Sequence, residues 1–391
     1  MPVPQSITNL TARSGELRDR LIRWCNQNSG SDNLEGLAAM LELLHADFSP
    51  LPGAVERVAL PGTTARALRV RVRPEAPLQV LCSGHFDTVY GTEHPFQRCT
   101  VLSGEKLQGP GVADMKGGLV VMLAALQAFE QTPRAARLGY EILLTPDEET
   151  GSQHSRPMLL ESAPRHRLAL VFEPARANGD LVKSRKGTGI FTLTVHGRAA
   201  HAGRDPAAGR NAILALCELL PPINDLIDEL PGVLVNIGAI HGGSAANIVP
   251  DRAVALVNAR VTKAGDDRLF VQRLQEICAP LNSRSGYRVE IGGGFNRGPK
   301  VESPAEVALF AEWRKCGAEF GQSFDWQHVG GGSDGNILAE AGLPDLDGLG
   351  VVGDHLHSPE ECCEAPSLAV RAQIAALFLH RLAAGEITPP A

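Results

Sequence analysis

The chain has 391 residues, 43% of them hydrophobic and 21% charged, which is an ordinary composition for a globular protein. This length exceeds one average domain, so two domains are expected. The net charge of −7 and the scattered Lys and Arg residues argue against nucleic acid as a partner. The eight cysteines include no CxxC pair, the first residues lack a signal-peptide pattern, and no apolar stretch is long enough to cross a bilayer. We therefore expect a cytoplasmic protein that does not act at a membrane.

Three apolar runs have the length and composition of buried strands, and each is followed by polar residues that could carry chemistry. They are 78–82, which precedes His85 and Asp87; 138–144, which precedes Glu148 and Glu149; and 168–172, which precedes Glu173. Asp114 lies in a glycine-rich turn before the apolar helical segment 119–129. Parallel strands end at one edge of a sheet, where open α/β sheets place their active sites, so these side chains should converge.

Five carboxylates in one crevice would raise one another's pKa or bind a cation. A cation is the better explanation because two imidazoles, His85 and His357, are also available, and such a mixed donor set suits zinc. His355 is a rival to His357 on the same segment. Three carboxylates and a bridging hydroxide would balance two divalent ions, so we predict two zinc ions roughly 3.5 to 4 Å apart. Cobalt and manganese are possible substitutes.

Five segments in this order resemble the M20 family of zinc metallopeptidases over nearly the whole chain: SGHFDTV (83–89), GVADMKGG (111–118), DEETGS (147–152), FEP (172–174) and HSPEE (357–361). The spacing is most similar to the glutamate carboxypeptidase branch, and next to the acetylornithine deacetylase and succinyl-diaminopimelate desuccinylase branch. The resemblance implies an α/β fold, in which a mixed-sheet catalytic domain of the di-zinc exopeptidase type carries an inserted α+β lid and dimerisation domain.

The resemblance also implies the metal ligands and the catalytic groups. His85 and Glu173 would bind the first zinc ion, and Glu149 and His357 would bind the second. Asp114 would bridge the two ions. Glu148 would act as the general base, and Asp87 would orient the imidazole of His85. A cis peptide bond after Asp114 is implied as well.

The segment 187–298 differs in character from the rest and predicts a small βαββαβ domain inserted between the two parts of the catalytic domain, 1–186 and 299–391. Its predicted elements are strand 190–195, helix 211–230, strands 233–240 and 253–261, helix 267–284 and strand 287–291. The resemblance implies that His201 of this insert stabilises the oxyanion in the active site of a partner subunit, so a homodimer is expected. It further suggests Asn247 and Arg260, and more weakly Lys183, as substrate-binding residues.

The resulting hypothesis is a zinc-dependent hydrolase that cleaves an amide bond adjacent to a carboxylate-bearing amino acid. In the resembling family, Glu rather than Asp at position 173 is typical of carboxypeptidases and deacylases, so the substrate should be a small amide or dipeptide-like molecule with a free carboxylate. A biosynthetic deacylase for acetylated or succinylated amines is the main alternative. An aminopeptidase and a metal-binding protein without catalysis also remain open.

Overall fold

The computed structural model describes residues 2–390. Within that range the chain forms two compact units, each of which is described by itself. The larger unit comprises the chain up to Ser184, Glu302–Val329 and the chain from Ser333 onwards; the smaller comprises Arg185–Val301 and Gly330–Gly332.

The helices and strands are numbered along the chain. Before the smaller unit they are α1 (Gln5–Thr8), α2 (Ser14–Cys25), α3 (Leu34–Phe48), β1 (Ala54–Ala59), β2 (Arg66–Val72), β3 (Gln79–His85), β4 (Thr100–Val101), β5 (Lys106–Gln108), α4 (Lys116–Glu130), β6 (Gly139–Thr145), α5 (Arg156–Ser162), β7 (Leu168–Val171) and β8 (Leu181–Arg185). The smaller unit then contains β9 (Gly187–His196), α6 (Ala212–Asn224), α7 (Leu226–Glu229), β10 (Leu234–Gly242), β11 (Arg252–Val261), α8 (Asp266–Asn282) and β12 (Arg288–Arg297). After it follow α9 (Pro304–Ala318), β13 (Trp326–Val329), α10 (Asp334–Glu340), β14 (Asp345–Asp347), β15 (Gly353–Asp354), β16 (Cys362–Glu364) and α11 (Ala365–Ala384).

The larger unit is built on a mixed eight-stranded sheet with the order β1-β2-β6-β3-β7-β14-β8-β13. β3 lies between β6 and β7 and runs parallel to both, and β14 is parallel to β7, whereas β1 and β2 are antiparallel to their neighbours. A second, four-stranded sheet has the order β15-β16-β5-β4. The predicted mixed-sheet α/β architecture is therefore confirmed.

The central strands are apolar on both faces because helices cover both sides of the sheet. Val80 and Cys82 of β3 belong to the main core together with α4, whereas Leu81 between them packs on the opposite face with Leu159 of α5. Burial of each large aliphatic side chain contributes roughly 1.5–3 kcal/mol. The continuous apolar runs of the sequence are explained by this two-sided burial.

The smaller unit has its own core and an antiparallel sheet with the order β10-β11-β9-β12. Phe191, Leu193 and Val195 of β9 are buried, while Ile190 is 59% exposed, as expected for a sheet with one covered face. The predicted βαββαβ order is present, except that the single helix predicted over 211–230 is divided into α6 and α7. Pro221 and Pro222, which cannot donate backbone hydrogen bonds, lie in the last turn of α6.

None of the helices in the described range combines the length and apolar character needed to span a membrane. All eight cysteines lie in that range and are free thiols. The role of the segment 187–298 as a lid and dimerisation domain stays a prediction.

Candidate metal centre

Three neighbouring strands bring ionisable side chains to one edge of the large sheet. His85 is the last residue of β3, Glu148 and Glu149 lie in a 3-10 turn just after β6, and Glu173 follows β7 by two residues. Because these strands are adjacent and parallel, their carboxyl ends lie side by side. The convergence predicted from the strand ends is therefore present in the fold.

Asp114 reaches the same edge from the turn that begins α4, and the peptide bond between Asp114 and Met115 is cis. Helix α4 can approach the end of β7 closely because residue 118 is a glycine. A Cβ atom at Gly118 would lie 1.8 Å from the backbone oxygen of Phe172, which immediately precedes Glu173. The close approach of α4 to the end of β7 thus places the turn that carries Asp114 near Glu173.

The carboxylate of Asp114 contacts two imidazoles, one through each oxygen. Its Oδ1 lies 3.0 Å from Nε2 of His85, and its Oδ2 lies 3.2 Å from Nε2 of His357. Nε2 of His357 is also 3.1 Å from Oε2 of Glu149. His355, the rival candidate, is instead an exposed residue whose Nε2 lies 3.9 Å from Asp354.

The imidazole of His85 faces two further carboxylates. Its Nε2 lies 3.8 Å from Oε1 of Glu173 and 3.9 Å from Oε2 of Glu148. Two groups of possible metal ligands result, and His85 belongs to both. One group is His85, Glu148 and Glu173, and the other is His85, Asp114 and Glu149. Within each group the ligand atoms all lie within 4.8 Å of one another. Glu148, predicted to be the base, thus lies within reach of a metal as well.

Asp87 is fully buried and connects the imidazole to the glutamate turn. Its Oδ1 lies 3.2 Å from Nδ1 of His85, and its two oxygens accept hydrogen bonds from the backbone N–H groups of Glu148 and Glu149, both at 3.1 Å. The hydroxyl of Ser31 donates to it at 2.7 Å. Asp87 follows the end of β3, so the orienting contact comes from the loop after the strand.

The electrostatics of the cluster favour protons on the imidazoles when no metal is bound. Burial opposes a charged His85, but hydrogen bonds to Asp114 and Asp87 outweigh it and raise the pKa of His85 well above its ordinary value. Burial would raise the pKa of Asp114, yet its hydrogen bonds to the two imidazoles lower it. Hydrogen bonds to Asp114 and Glu149 raise the pKa of His357 to about 11.

Glu149, unlike Asp114, has a pKa above its ordinary value. Burial and the negative charge of Asp114 raise the pKa of Glu149 to about 8. Excess negative charge in a buried place is relieved either by a proton or by a cation.

The donor set fits a divalent metal. Nδ1 of His85 faces both the carboxylate and the backbone oxygen of Asp87, at 3.2 and 3.1 Å, so Nδ1 carries the imidazole proton. The lone pair of Nε2 then points at the carboxylate of Asp114, and only a cation or a second proton makes that contact favourable. Imidazole nitrogens and carboxylate oxygens are ligands that zinc accepts.

Two buried charged residues near the site were not singled out from the sequence. Glu361 accepts backbone hydrogen bonds from Ala113 and Asp114, and the ammonium of Lys116 donates to the backbone oxygens of Trp24 and Gln27. Burial and the charge of Asp114 raise the pKa of Glu361 to about 7, against the hydrogen bonds that favour its ionised form. Glu361 lies inside the motif segment 357–361 and Lys116 inside the motif segment 111–118, and these positions were the signal by which the sequence could have identified them.

The substrate-binding residues predicted for the insert lie in the smaller unit. His201 is exposed, and its Nδ1 accepts a hydrogen bond from the backbone N–H of Gly203 at 3.2 Å. Asn247 is also exposed and joins the same loop region through a backbone hydrogen bond from Ala202. Arg260 is partly buried.

The two remaining cationic candidates each have a partner. The guanidinium of Arg260 donates to the hydroxyl of Thr188 at 3.2 Å and to the backbone oxygen of Gly330 at 2.9 Å. Lys183, which belongs to the larger unit, forms an ion pair with Glu302 at 2.9 Å. The structure of each unit by itself leaves the substrate roles of these residues as predictions.

The mixed α/β fold and its cluster of imidazoles and carboxylates define a metallohydrolase. The profile of peptidase family M20/M25/M40 matches residues 81–381, and the chain belongs to this family.

Relatives with several activities are similar to this chain. It is 27% identical over 372 residues to carboxypeptidase G2 of Pseudomonas sp. (strain RS-16), a match that covers 92% of this chain and 88% of that protein. It is 28% identical to the succinyl-diaminopimelate desuccinylase of Acidovorax ebreus (strain TPSY), a match that covers 83% of this chain and 88% of that protein. It is 32% identical to the acetylornithine deacetylase of Salmonella arizonae, a match that covers 54% of this chain and 57% of that protein.

Solved structures share the fold at low sequence identity. The aminopeptidase PepT from Bacillus cereus matches with a TM-score of 0.76 and 19% identity over 95% of this chain and 99% of that one. The M20 family metallo-carboxypeptidase Sso-CP2 from Sulfolobus solfataricus matches with a TM-score of 0.75 and 15% identity over 94% of this chain and 99% of that one.

Proposed function

We propose that the protein is a zinc-dependent hydrolase that cleaves an amide bond adjacent to a carboxylate-bearing amino acid. The observation that carries this proposal is the position of Asp114 between two imidazoles, with one of its oxygens 3.0 Å from His85 and the other 3.2 Å from His357. A carboxylate so placed is suited to be shared by two cations, with other carboxylates on either side.

The proposed ligand set is the one that the resemblance to the M20 family implies, and it is supported by the contacts among His85, His357 and Asp114. We assign His85 and Glu173 to one zinc ion, His357 and Glu149 to the other, and Asp114 to both. Bound zinc ions supply Lewis acidity, and they lower the pKa of a coordinated water toward about 7.

Glu148 is the proposed general base. Its backbone N–H is fixed by Asp87, and its side chain is only 6% exposed, so the carboxylate is held at the edge of the cluster. An oxygen of Glu148 would accept the proton of the attacking water and pass it to the leaving nitrogen. Asp87 would keep His85 in the tautomer that presents Nε2 to the metal.

The substrate class is supported by the relatives. Carboxypeptidase G2 is similar to this chain over most of both lengths, which favours a carboxylate on the leaving side of the bond. Arg260 would bind that carboxylate with its guanidinium, together with Asn247. Lys183 is a weaker candidate because its charge is already paired with Glu302.

The proposed partner is a second copy of the chain, through the smaller unit. His201 would donate a hydrogen bond to the oxygen of the scissile carbonyl as negative charge develops there. The exposed position of His201 is compatible with a role toward another subunit.

A substrate panel tests the proposal. Protein stripped by a chelator and reloaded with zinc, cobalt or manganese is assayed on N-acylated glutamates and on dipeptides with blocked amino ends. N-acetylornithine, N-succinyl-diaminopimelate and peptides with free amino ends complete the panel. We expect metal-dependent release of an amino acid with a free carboxylate from the first group. Preference for the acetylated or succinylated amines would favour the deacylase alternative, and cleavage of the last group alone would refute the proposal.

A further inference from the structure

Glu361 is a buried carboxylate, 1% exposed, whose two oxygens accept four hydrogen bonds. Oε1 accepts from the backbone N–H groups of Ala113 and Asp114, at 3.0 and 3.1 Å. Oε2 accepts from the backbone N–H of Gly111 at 3.3 Å and from the hydroxyl of Tyr90 at 2.9 Å. The turn that carries Asp114 is therefore wrapped around this one carboxylate.

The four donors fill the acceptor positions of an ionised carboxylate, two on each oxygen. The carboxylate therefore holds the 111–114 turn and Tyr90 at the same time. It contacts the backbone of Asp114, whose side chain faces the two imidazoles.

The same carboxylate joins three separate parts of the chain. Tyr90 lies in the loop that follows His85 and Asp87, and its hydroxyl is also 2.8 Å from the backbone oxygen of Ser358. Glu361 itself is four residues after His357 and receives a backbone hydrogen bond from Gly109 at its own carbonyl oxygen, at 3.2 Å.

The loop that carries His357 needs such support. His357 has a φ of +61°, a left-handed conformation that is unfavourable for a residue with a side chain, so the surrounding contacts must hold it. Those contacts are the backbone hydrogen bonds from the 111–114 turn to Glu361 and the hydroxyl of Tyr90, whose single proton is shared between the backbone oxygen of Ser358 and the carboxylate of Glu361.

We propose that Glu361 is a positioning residue that sets the distance between Asp114 and His357 and so determines how tightly the metal ions are bound. This inference rests on the metal centre of the proposed function, and Glu361 acts through Asp114 and His357 without touching metal or substrate. Loss of its carboxylate would free the 111–114 turn and the 357–361 loop together.

The test compares Glu361→Gln with Glu360→Gln in the full-length protein. Both variants remove one negative charge, but Glu360 is exposed and its neighbour Glu361 is buried. Zinc affinity is measured by competition with a chromophoric chelator, so the readout is independent of substrate and turnover. We expect the affinity of Glu361→Gln to fall by roughly 10- to 100-fold, as for other outer-shell partners of metal ligands, and that of Glu360→Gln to stay within about threefold of the unmodified protein.

Two further variants keep the inference testable if Glu361→Gln does not fold. Tyr90→Phe removes a single donor and leaves the three backbone hydrogen bonds, so a smaller loss of zinc affinity is expected. Glu361→Asp keeps the charge but shortens the side chain, and it should fall between Glu361→Gln and the unmodified protein. Near-ultraviolet circular dichroism establishes which variants are folded.

Equal zinc affinity in the folded Glu361→Gln or Glu361→Asp variant and the unmodified protein would overturn the inference. An equal loss of zinc affinity in Glu360→Gln would also overturn the inference, because removal of one negative charge near the site would then explain the effect. Failure of the unmodified protein to bind zinc at all would instead refute the proposed metal centre, so the two failures are distinguishable.

Discussion

Glu148 and Glu149 are adjacent in the sequence, yet their side chains have different surroundings. Oε2 of Glu149 lies 3.1 Å from Nε2 of His357, whereas Oε2 of Glu148 lies 3.9 Å from Nε2 of His85. Asp87 fixes both backbone N–H groups and so holds the pair in a defined orientation. The proposed roles of Glu149 as ligand and Glu148 as base can therefore be tested separately by substitution.

The variant Glu148→Gln should lose turnover and keep its metal. The amide has the shape of the carboxylate but cannot accept the proton, so kcat should fall by roughly 10²- to 10⁴-fold. Steady-state kinetics and metal analysis of the purified variant provide the measurement, with Glu35→Gln, at an exposed helix position, as the control. A parallel loss of bound metal would show that Glu148 is a ligand, as its proximity to His85 and Glu173 allows.

The variant Asp87→Asn should weaken the site through His85. The amide nitrogen cannot accept a hydrogen bond, so one pair of donors loses its acceptor oxygen: either Nδ1 of His85 and the N–H of Glu148, or the N–H of Glu149 and the hydroxyl of Ser31. We expect metal affinity or activity to fall by roughly 10- to 100-fold. Zinc titration and kinetics measure this effect, and Asp19→Asn on the protein surface is the control. Unchanged metal affinity and unchanged activity in Asp87→Asn would contradict the orienting role of Asp87.

At the scale of the elements, helix α4 is central because almost all of its residues are buried. It begins immediately after the turn that carries Asp114, and it packs against α11 in the main core on one face of the sheet. The contact of Gly118 with Phe172 joins the start of this helix to the end of β7. Displacement of α4 should therefore affect both folding and the metal centre.

The variant Gly118→Ala tests this contact. A methyl group 1.8 Å from a backbone oxygen forces the helix and the strand apart, so we expect destabilisation of roughly 1–3 kcal/mol or more. The matched control is Gly15→Ala in α2, where no atom lies within 4 Å of the added carbon and a gain of roughly 0.5–1 kcal/mol is expected. Denaturant unfolding monitored by circular dichroism measures both. Equal stability of the two variants would show that α4 adjusts freely.

At the scale of the whole molecule, the proposed metal ligands come from distant parts of the chain. His85 and His357 are separated by more than half of the sequence, yet both belong to the larger unit and contact the same carboxylate. Metal binding should therefore stabilise the folded state of that unit, since the unfolded chain does not hold these donors together.

Removal of the metal should lower the melting temperature. At a free zinc concentration about a thousandfold above Kd, binding contributes about 4 kcal/mol, which for a unit of this size corresponds to on the order of 10 °C. Differential scanning calorimetry with zinc and with excess chelator measures the shift. In Asp114→Asn the shift should largely disappear, and a full shift in that variant would place the metal elsewhere.

Much of the fold could be predicted because its signals are local. The apolar runs before His85, Glu148 and Glu173 predicted buried strands, and adjacent parallel strands must end at the same edge of a sheet. The five motif segments indicated the family, which the comparisons confirm. The domain boundaries and the roles of individual site residues stay predictions, because they depend on contacts between residues far apart in the sequence.

By itself, the amino-acid sequence determined that the apolar segments before His85, Glu148 and Glu173 form strands that end in the proposed metal-binding residues, because hydrophobic periodicity and turn chemistry act over a few neighbouring residues. Only the tertiary structure showed the direct contact between His357 and Asp114 and the hydrogen bonds that Glu361 accepts from the turn before α4. Those contacts join residues about 250 positions apart along the chain. They depend on how helices and strands pack, which no local pattern encodes.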